Sequence, residues 1–233
     1  MTELYLATYN VHRCIGRDGR HDVDRIARII TGTGASIVGL QEVDLGGDLD
    51  PEHADARRLA EATGMTCILG RIPSASGRRF GNALLTAWPV LAERRIDLSV
   101  ARREPRGALD VDLRVGTTRL RIVTTHFGLR PFERRIQTQQ ILAVTSVPTA
   151  DMTVLLGDLN EWFIWGRPLR WLHAAFGYSR APRTFPSGTP LFALDRIWVR
   201  PRSALRRVSA FVSARVAEAS DHLPVIGEMI LEA

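Results

Sequence analysis

Residues 107–129 contain two runs in which apolar and polar side chains alternate. The runs read ALDVDLRV and LRIVTTHF, and Gly116 and Thr117 stand between them. Alternation with a period of two puts every second side chain on one face of a strand, and a short turn containing glycine joins antiparallel neighbours. The stretch predicts a β-hairpin, so the fold must contain an antiparallel pair of strands.

Other apolar segments predict that strands outnumber helices and occur mainly in pairs. Asp22 stands before a run with helical spacing and is expected to cap that helix. Two packed, mainly antiparallel mixed sheets with helices outside them fit this order better than one doubly wound sheet. The predicted helices cover 22–35, 53–63, 131–147 and 167–176, and the other predicted strands cover 4–10, 36–44, 65–70, 80–87, 90–98, 152–157, 192–199, 207–214 and 222–231.

Length and composition bound the class of protein. The 233 residues can enclose a large core, and we expect residues 1–233 to form one α/β domain. The first residues lack the basic and apolar regions of a signal peptide, and no apolar run approaches about 18 residues. Cys14 and Cys67 have no metal-binding spacing and indicate a reducing compartment. We therefore expect a cytoplasmic, bacterial-type protein without a transmembrane segment, with a monomer as the default.

The basic residues are unusual because all 31 of them are arginines. Together with 25 acidic residues they give a formal net charge of +6. A basic chain suits a nucleic acid or another anionic phosphoester, and arginine favours bidentate contacts to phosphate. The complete lack of lysine equally indicates a compositional bias spread over the whole surface, so the charge alone does not choose between these two interpretations.

Polar side chains stand repeatedly where the predicted apolar strands stop. Each of them alone has a structural explanation as a turn former, a cap or a surface acid. Catalytic groups tend to lie on loops at the ends of rigid strands, however, and together these residues supply acids, amides and imidazoles. That set is typical of metal-assisted phosphoester hydrolysis, since Mg²⁺ prefers carboxylate oxygens and water. The residues are Asn10, Glu42, His126, Asp158, Asn160, Asp195, Asp221 and His222.

The segment TVLLGDLNEW, residues 153–162, shows most clearly that the same residues fit both a structural and a catalytic role. Glycine, aspartate and asparagine after an apolar strand are the usual residues of a turn. If the segment is extended instead, alternate residues face the same way, so that Asp158 and Asn160 point together toward a reaction centre while Leu159 packs behind them. We predict that Gly157 ends the strand and that Asp158 and Asn160 serve the site.

Seven short motifs in this order resemble those of the endonuclease/exonuclease/phosphatase superfamily, the DNase I-like metal-dependent phosphoesterases. The resemblance spans residues 4–230 and implies a four-layer α/β/β/α sandwich. It also implies a Mg²⁺-dependent hydrolase, with Mn²⁺ as a substitute, that acts on a nucleic acid, a phospholipid or a small phosphoester. The motifs are TYNVH (8–12), LQEVD (40–44), GNALLT (81–86), THFGL (125–129), GDLN (157–160), LDRIWV (194–199) and SDHLPV (220–225).

The matched motifs imply roles for individual residues at the metal. By resemblance, Glu42 is the principal Mg²⁺ ligand, Asn10 is a second contact to the metal or its water, and Asp221 is an additional metal-site carboxylate. After the first motif some nucleases carry an aspartate, whereas this chain has His12. The resemblance therefore does not supply a second metal-site carboxylate at that position.

The same motifs imply roles around the phosphate. Asp158 corresponds to the residue that orients or deprotonates the attacking water, and Asn160 steadies water and phosphate. His222 corresponds to a histidine on the scissile phosphate, oriented by Asp195, and His126 to a second phosphate-contacting histidine whose acidic partner the sequence does not reveal. Candidate phosphate-binding residues are Arg106, Arg103 and Asn82, and each of these is also consistent with a structural or solvated position.

The nature of the substrate stays open at this level. Trp162, Trp165 and Trp171 follow the GDLN motif and could line a pocket, contact a membrane surface transiently or pack inside the protein. No aromatic stacking platform or lysine-rich arm for nucleic acid is evident. The competing hypothesis from another class is a catalytically inactive relative that acts as a binding module.

Overall fold

In a computed structural model that describes residues 2–46, 54–72 and 80–231, the chain forms two β-sheets that pack face to face. The six-stranded sheet has the order β10-β11-β1-β2-β4-β3 and the five-stranded sheet the order β5-β6-β7-β8-β9. The strands are β1 Thr2–Asn10, β2 Ile37–Asp44, β3 Thr66–Gly70, β4 Phe80–Thr86, β5 Val90–Asp97, β6 Gly107–Val115, β7 Thr118–His126, β8 Met152–Asp158, β9 Asp195–Arg200, β10 Leu205–Ala210 and β11 Val225–Leu231.

Helices cover the outer face of each sheet. The helices are α1 Val23–Gly32, α2 Asp55–Thr63, α3 Pro131–Ser146, α4 Arg167–Phe176 and α5 Ala214–Ala219. One buried apolar cluster lies between the sheets, a second joins α1, α2 and α5 to the six-stranded sheet, and a third joins α3 and α4 to the five-stranded sheet. The layers therefore run α/β/β/α, which confirms the predicted fold class.

Several local predictions are confirmed and others need correction. The hairpin forms from β6 and β7, and the Asp22 side chain accepts from the backbone N–H of Arg25 at 2.8 Å. The strand predicted over 207–214 ends at Ala210, because Ser213 accepts from the N–H of Val216 and begins α5 instead. The strands predicted from 192 and 222 begin later, at 195 and 225, and the helix predicted to reach 35 ends at 32.

The topology brings polar strand ends together at one edge of the sandwich. β7 and β8 are parallel and their last residues, His126 and Asp158, are paired. β9 runs antiparallel to β8 and begins opposite it, with Asp195 beside Asp158. β1 ends at Asn10 in the other sheet, parallel to β2, so residues distant in sequence meet at this edge. Within the described ranges no helix has the length and apolar character needed to cross a membrane.

Candidate active site

A cavity of about 760 Å³ opens at this edge between the two sheets. Its wall includes most of the residues singled out in the sequence. Asn10 and Asp195 lie behind the wall, hydrogen-bonded to residues that line it, and Arg103 is outside it. The predicted residues that line the cavity are Glu42, Asn82, Arg106, His126, Asp158, Asn160, Asp221 and His222.

Asp158 is the central acid of the cavity. Its carboxylate is buried and accepts from Nδ2 of Asn10 at 3.1 Å and from the backbone N–H of Asn160 at 2.9 Å. Nε2 of His126 lies 3.5 Å and Nε2 of His222 lies 3.7 Å from its Oδ2. Burial raises the pKa of Asp158, while the nearby His222 lowers it to a smaller extent. The carboxyl group is thus poised to accept a proton closer to neutral pH than an exposed aspartate.

The GDLN motif is a turn, and the extended backbone expected at Asn160 is not what forms. Asn160 has a left-handed backbone with φ of 49°, and its N–H bonds back to the side chain of Asp158. Gly157 has φ of 147°, and a Cβ at this position would lie 2.0 Å from the carbonyl oxygen of Thr125, so only glycine fits. The strand ends at Asp158, one residue after the predicted end, and Leu159 is buried as expected.

His222 is held between two acids. Its Nδ1 lies 2.8 Å from Oδ2 of Asp195, and the same oxygen accepts from the hydroxyl of Thr184 at 2.5 Å. Burial opposes charge on this imidazole, but the charges of Asp195 and Asp158 outweigh burial and raise the pKa of His222 to about 10. His222 is therefore an imidazolium at neutral pH, and its Nε2–H faces the cavity.

His126 has an arginine where the sequence left its partner unidentified. Nη1 of Arg106 lies 3.0 Å from Nδ1 of His126, and Arg106 also pairs with Glu104 at 2.8 Å. Because a guanidinium only donates, Nδ1 accepts and the ring proton sits on Nε2. The 3.0 Å contact between Nε2 and Nδ2 of Asn160 is then not a hydrogen bond, since both nitrogens carry hydrogens. Nε2–H is directed toward the acids of the cavity.

Glu42 points into the cavity because its strand is interrupted there. The pairing of β2 with β4 shifts register between Leu40 and Val43, and Glu42 has φ of 55°. A left-handed conformation costs a non-glycine residue on the order of 1–3 kcal/mol, and such strain clusters at functional sites. The carboxylate is partly exposed and lies 4.0 Å from Nε2 of His126.

Asn10 links the carboxylates of the two sheets. Its Nδ2 donates to Oε1 of Glu42 at 3.3 Å and to Oδ2 of Asp158 at 3.1 Å, while its Oδ1 accepts from the N–H of His12. This orientation presents amide hydrogens to the acids. Of the two expected contacts, to the metal or to its water, it suits the contact to water, because a metal needs the amide oxygen. His12 turns away from the cavity, with its Nδ1 3.0 Å from the carbonyl of Ile15.

Among the residues that the structure describes, two sets of side chains could hold a cation. One atom each of Asp158, Asp195 and His222 lies within 4.8 Å of the others, but Asp195 and His222 are already hydrogen-bonded to each other. Glu42 and Asp221 offer carboxylate oxygens at the wall of the same cavity as Asp158. Oxygen ligands without cysteine suit a hard divalent ion such as Mg²⁺, so the Glu42 side of the cavity fits the implied metal better.

The three residues predicted to bind phosphate, Arg103, Arg106 and Asn82, have different positions and contacts in the structure. Arg103 is exposed and its guanidinium stacks over the ring of Phe132, at 5.1 Å from the centroid, so it is not a cavity residue. Asn82 donates from Nδ2 to the carbonyl of Gly107 at 2.8 Å, which fixes the loop that carries Arg106. Of the two arginines that the sequence offered, the structure brings only Arg106 to the site.

Sequence reasoning missed three supports of the site. Thr184 braces Asp195, Glu104 pairs with Arg106, and Phe185 packs against His222 with the ring centroids 4.8 Å apart. Glu104 stands in the segment RREPRG, two residues before Arg106, and that spacing could have indicated the pair. Thr184 and Phe185 carry no comparable signal, because only the fold brings them to the GDLN and SDH motifs.

Comparison of the sequence with known proteins identifies a family and a relative. The model of the Endonuclease/Exonuclease/phosphatase family matches residues 7–222. The uncharacterized protein YbhP of Escherichia coli is 28% identical over 241 residues, which cover 96% of this chain and 95% of YbhP.

Solved structures of low sequence identity share the fold. The endonuclease/exonuclease/phosphatase from Bacteroides vulgatus has a TM-score of 0.81 at 19% identity, with both chains fully covered. A mannosyl-6-phosphatase from Bacteroides thetaiotaomicron has a TM-score of 0.76 at 18% identity, covering 98% of this chain and 100% of its own. The chain therefore belongs to the Endonuclease/Exonuclease/phosphatase family and is a metal-dependent phosphoester hydrolase.

Proposed function

We propose that this chain is a Mg²⁺-dependent phosphodiesterase in which a water molecule attacks phosphorus beside Asp158. The observation that carries the proposal is the position of Asp158, a buried acid within 3.7 Å of both His126 and His222 in a cavity that Glu42 also enters. A base, two phosphate-facing N–H groups and a cation-binding acid are the parts that phosphoester hydrolysis needs.

Asp158 acts as the base for the attacking water. Its raised pKa brings it nearer to the working pH, where a carboxylate both is ionised and accepts a proton effectively. Asn10 and the N–H of Asn160 hold its two oxygens in place, which limits the positions a water can take. Asn160 steadies the water and the phosphate through its side chain.

The two histidines stabilise the negative charge that grows on the phosphate oxygens. Nε2–H of His222 comes from an imidazolium, and Nε2–H of His126 comes from a ring whose other nitrogen accepts from Arg106. Donors fixed before the reaction need no reorganisation as charge develops, so they favour the transition state over the substrate. Asp195 and Arg106 are the groups that fix the two rings.

Glu42 and Asp221 would hold the Mg²⁺ ion, with Mn²⁺ as a substitute. When bound there, the ion supplies positive charge to phosphate oxygens and to the leaving oxygen. Asn10 orients Glu42 and Asp158 toward each other across the cavity, which keeps two acids close enough to serve one phosphate.

The substrate is an anionic phosphoester, and two of its possible forms follow from separate observations. The mannosyl-6-phosphatase neighbour shares the fold and, by its name, acts on a phosphomonoester. A nucleic acid is suggested by the net charge of +6. Several arginines are held in ion pairs within the fold, however, and are not available to a phosphate backbone, as in the pairs Arg25–Asp18, Arg94–Asp110, Arg121–Asp110 and Arg134–Glu161. The charge therefore favours a nuclease only weakly.

The test measures hydrolysis of bis-p-nitrophenyl phosphate with Mg²⁺ or Mn²⁺ by wild type, Asp158→Asn and the matched surface variant Asp24→Asn. We expect Asp158→Asn to lose at least ~10²-fold in kcat, the scale of a lost general base, and Asp24→Asn to match wild type. Equal activity of both variants would remove Asp158 from the centre of the reaction. No hydrolysis of any ester by wild type would reject the proposal.

A substrate panel with the same variants then separates the ester classes. It contains plasmid DNA, abasic duplex, RNA, sphingomyelin, phosphatidylinositol phosphates and p-nitrophenyl phosphate, each with Mg²⁺. A phosphodiesterase cleaves bis-p-nitrophenyl phosphate at a higher kcat/KM than p-nitrophenyl phosphate. The reverse order would reassign the chain to the phosphomonoesterases.

A further inference from the structure

Leu129 and Trp162 line the cavity, and further apolar side chains that adjoin Trp162 in the sequence or in a ring contact are open to solvent. Four of them are consecutive in the loop between β8 and α4, and Ile164 and Trp165 are 73% and 69% exposed. Large exposed apolar patches on a soluble domain mark surfaces that bind something. We call this group the apolar rim, and it consists of Leu129, Trp162, Phe163, Ile164, Trp165, Leu191 and Phe192.

The exposure is built into the fold, because a buried ion pair fixes the loop. Nε of Arg134, in α3, donates to Oε2 of Glu161 at 3.1 Å, and both side chains are buried. Oε1 of Glu161 accepts from the N–H of Phe163, and Gly166 closes the turn with its N–H on the carbonyl of Phe163. Arg134 also donates to the carbonyl of Leu129 at 2.7 Å. One arginine thus fixes the backbone of two segments of the apolar rim, Leu129 and 162–165.

The apolar rim is continuous with the site. Leu129 and Trp162 line the cavity, and the ring of Trp162 meets those of Phe192 and Phe185 edge-on, with centroids 4.8 and 5.7 Å apart. Phe185 in turn packs against His222. A surface that covered the apolar rim would therefore place its own polar groups directly at the cavity mouth.

The exposed charged residues of the segment that carries most of the apolar rim, between Leu159 and Leu194, have one sign. Glu161 is the only acid between Leu159 and Leu194, and it is buried in an ion pair with Arg134. The exposed charged residues of the same stretch are all arginines, namely Arg167, Arg170, Arg180 and Arg183. Aromatic and aliphatic side chains flanked by basic residues without acids match the composition of segments that lie in the interface of anionic bilayers.

We propose that the apolar rim docks on the surface of an anionic lipid bilayer, with Ile164 and Trp165 entering the headgroup region. The docked orientation turns the catalytic cavity toward the lipid headgroups, so the phosphoester that reaches Asp158 is presented by the membrane. This step to a lipid substrate rests on the proposed function, whereas the docking itself does not. The contact is peripheral and needs no spanning segment.

The pattern of exposure argues for a bilayer over the other occupants. Ile164 is the most exposed member and is aliphatic, so it offers no ring for stacking on a base. The flanking arginines suit the negative potential of an anionic leaflet. The experiment must also be able to detect two other occupants of this surface, a nucleic acid strand and a second copy of this chain.

The experiment is co-sedimentation of the full chain with vesicles of phosphatidylcholine alone or mixed with phosphatidylglycerol. We expect binding to the anionic vesicles that weakens with salt, with a blue shift of tryptophan fluorescence. The double variant Ile164→Asp/Trp165→Asp should bind at least ~10-fold more weakly, since it removes buried apolar area and adds negative charge. Val147→Asp is the matched control, because Val147 is exposed at the other end of the sheet, beside Arg121.

The readouts separate docking from catalysis. Hydrolysis of soluble bis-p-nitrophenyl phosphate by the double variant should stay within about twofold of wild type, because Ile164 and Trp165 do not line the cavity. Wild-type hydrolysis without vesicle binding, or equal binding by the double variant, would overturn the docking and leave the proposed function intact. Vesicle binding that depends on the apolar rim, without hydrolysis of any ester, would support the docking and overturn the proposed function. Rim-dependent binding of single-stranded DNA in place of vesicles, or a rim-dependent dimer by light scattering, would also overturn the docking.

Discussion

Nδ1 of His222 donates to Oδ2 of Asp195 across 2.8 Å, and this bond decides which nitrogen of the ring faces the cavity. A carboxylate accepts and does not donate, so Nδ1 carries a hydrogen in every protonation state of the histidine. Thr184 holds the same oxygen from the other side. The orientation of His222 therefore depends on a buried residue that never reaches the substrate.

Asp195→Asn should slow the reaction while leaving the protein folded. An asparagine can turn its NH₂ toward Nδ1, which then accepts, so the ring becomes a neutral imidazole whose single proton is on Nε2. Nε2–H still donates to phosphate, but without the positive charge of an imidazolium, and a charge-assisted hydrogen bond is roughly twice as strong as a neutral one. We therefore expect kcat to fall at least ~10-fold, with KM changing far less. Nitrogen NMR of the His222 ring checks its protonation state directly. An unchanged ring form together with a low kcat would contradict this positioning role.

We predict that the backbone conformation of Glu42 lowers the stability of the folded protein, while its carboxylate binds the metal. Both Glu42→Ala and Glu42→Gly remove the carboxylate, so both should lose Mn²⁺ binding in a titration and lose most Mg²⁺-dependent turnover. Glycine adopts φ of 55° without the strain that alanine retains, and Glu42→Gly should therefore be more stable than Glu42→Ala by about 1 kcal/mol. Urea denaturation measures the difference. Equal stability would mean that the backbone at Glu42 is not strained.

Much of the site could be predicted because strand ends converge. Asn10, His126 and Asp158 each close an apolar strand. The ends at His126 and Asp158 are paired directly, and Asn10 reaches Asp158 from the other sheet through its side chain. The residue types identify Glu42 and Asn160 as site residues, but they do not predict the backbone conformations that bring the two side chains to the cavity. Both have left-handed backbones. The alternating pattern of a strand assumes extended residues and gives no sign of the bulge at Glu42, whereas the residue types of GDLN left a turn and an extended segment equally open at Asn160.

Other features depend on contacts that sequence spacing does not encode. The sequence offers Arg103 and Arg106 equally, three residues apart on one loop. Their difference arises because Arg106 lies next to His126 while Arg103 stacks on Phe132 in α3. Trp165 could equally be a packing residue by sequence, but it is exposed, in a loop whose first residues are fixed by the buried Arg134–Glu161 pair.

The two arginines make a matched pair for mutation. Arg106→Gln removes the cation that donates to Nδ1 of His126, so the ring proton is no longer held on Nε2, and kcat should fall by ~10²-fold. Arg103→Gln changes an exposed residue outside the cavity and should stay within about twofold of wild type. Steady-state kinetics on bis-p-nitrophenyl phosphate compare the two. Similar losses in both variants would show that the loop as a whole, not Arg106, supports catalysis.

Away from the site, Asp110 should govern the acid stability of the five-stranded sheet. Its buried carboxylate accepts two hydrogen bonds each from Arg94 and Arg121, at 2.6 to 2.9 Å. Burial alone would raise the pKa of Asp110, but these hydrogen bonds outweigh it and lower the pKa. The folded pKa is then below that of the unfolded chain, which is about 4, so the stabilisation is complete above that pH and is lost as the pH falls through the folded value.

Asp110→Asn tests this directly at two pH values. At pH 7 it leaves the buried guanidinium of Arg121 without its carboxylate, which should lower the free energy of unfolding by about 3–5 kcal/mol. Below about pH 4 the deficit should shrink, because wild type loses the same ion pairs by protonation. Urea denaturation at pH 7 and pH 3 measures both values, with Asp24→Asn as the exposed control. A deficit that is the same at both pH values would show that the carboxylate of Asp110 does not titrate with the lowered pKa assigned to it.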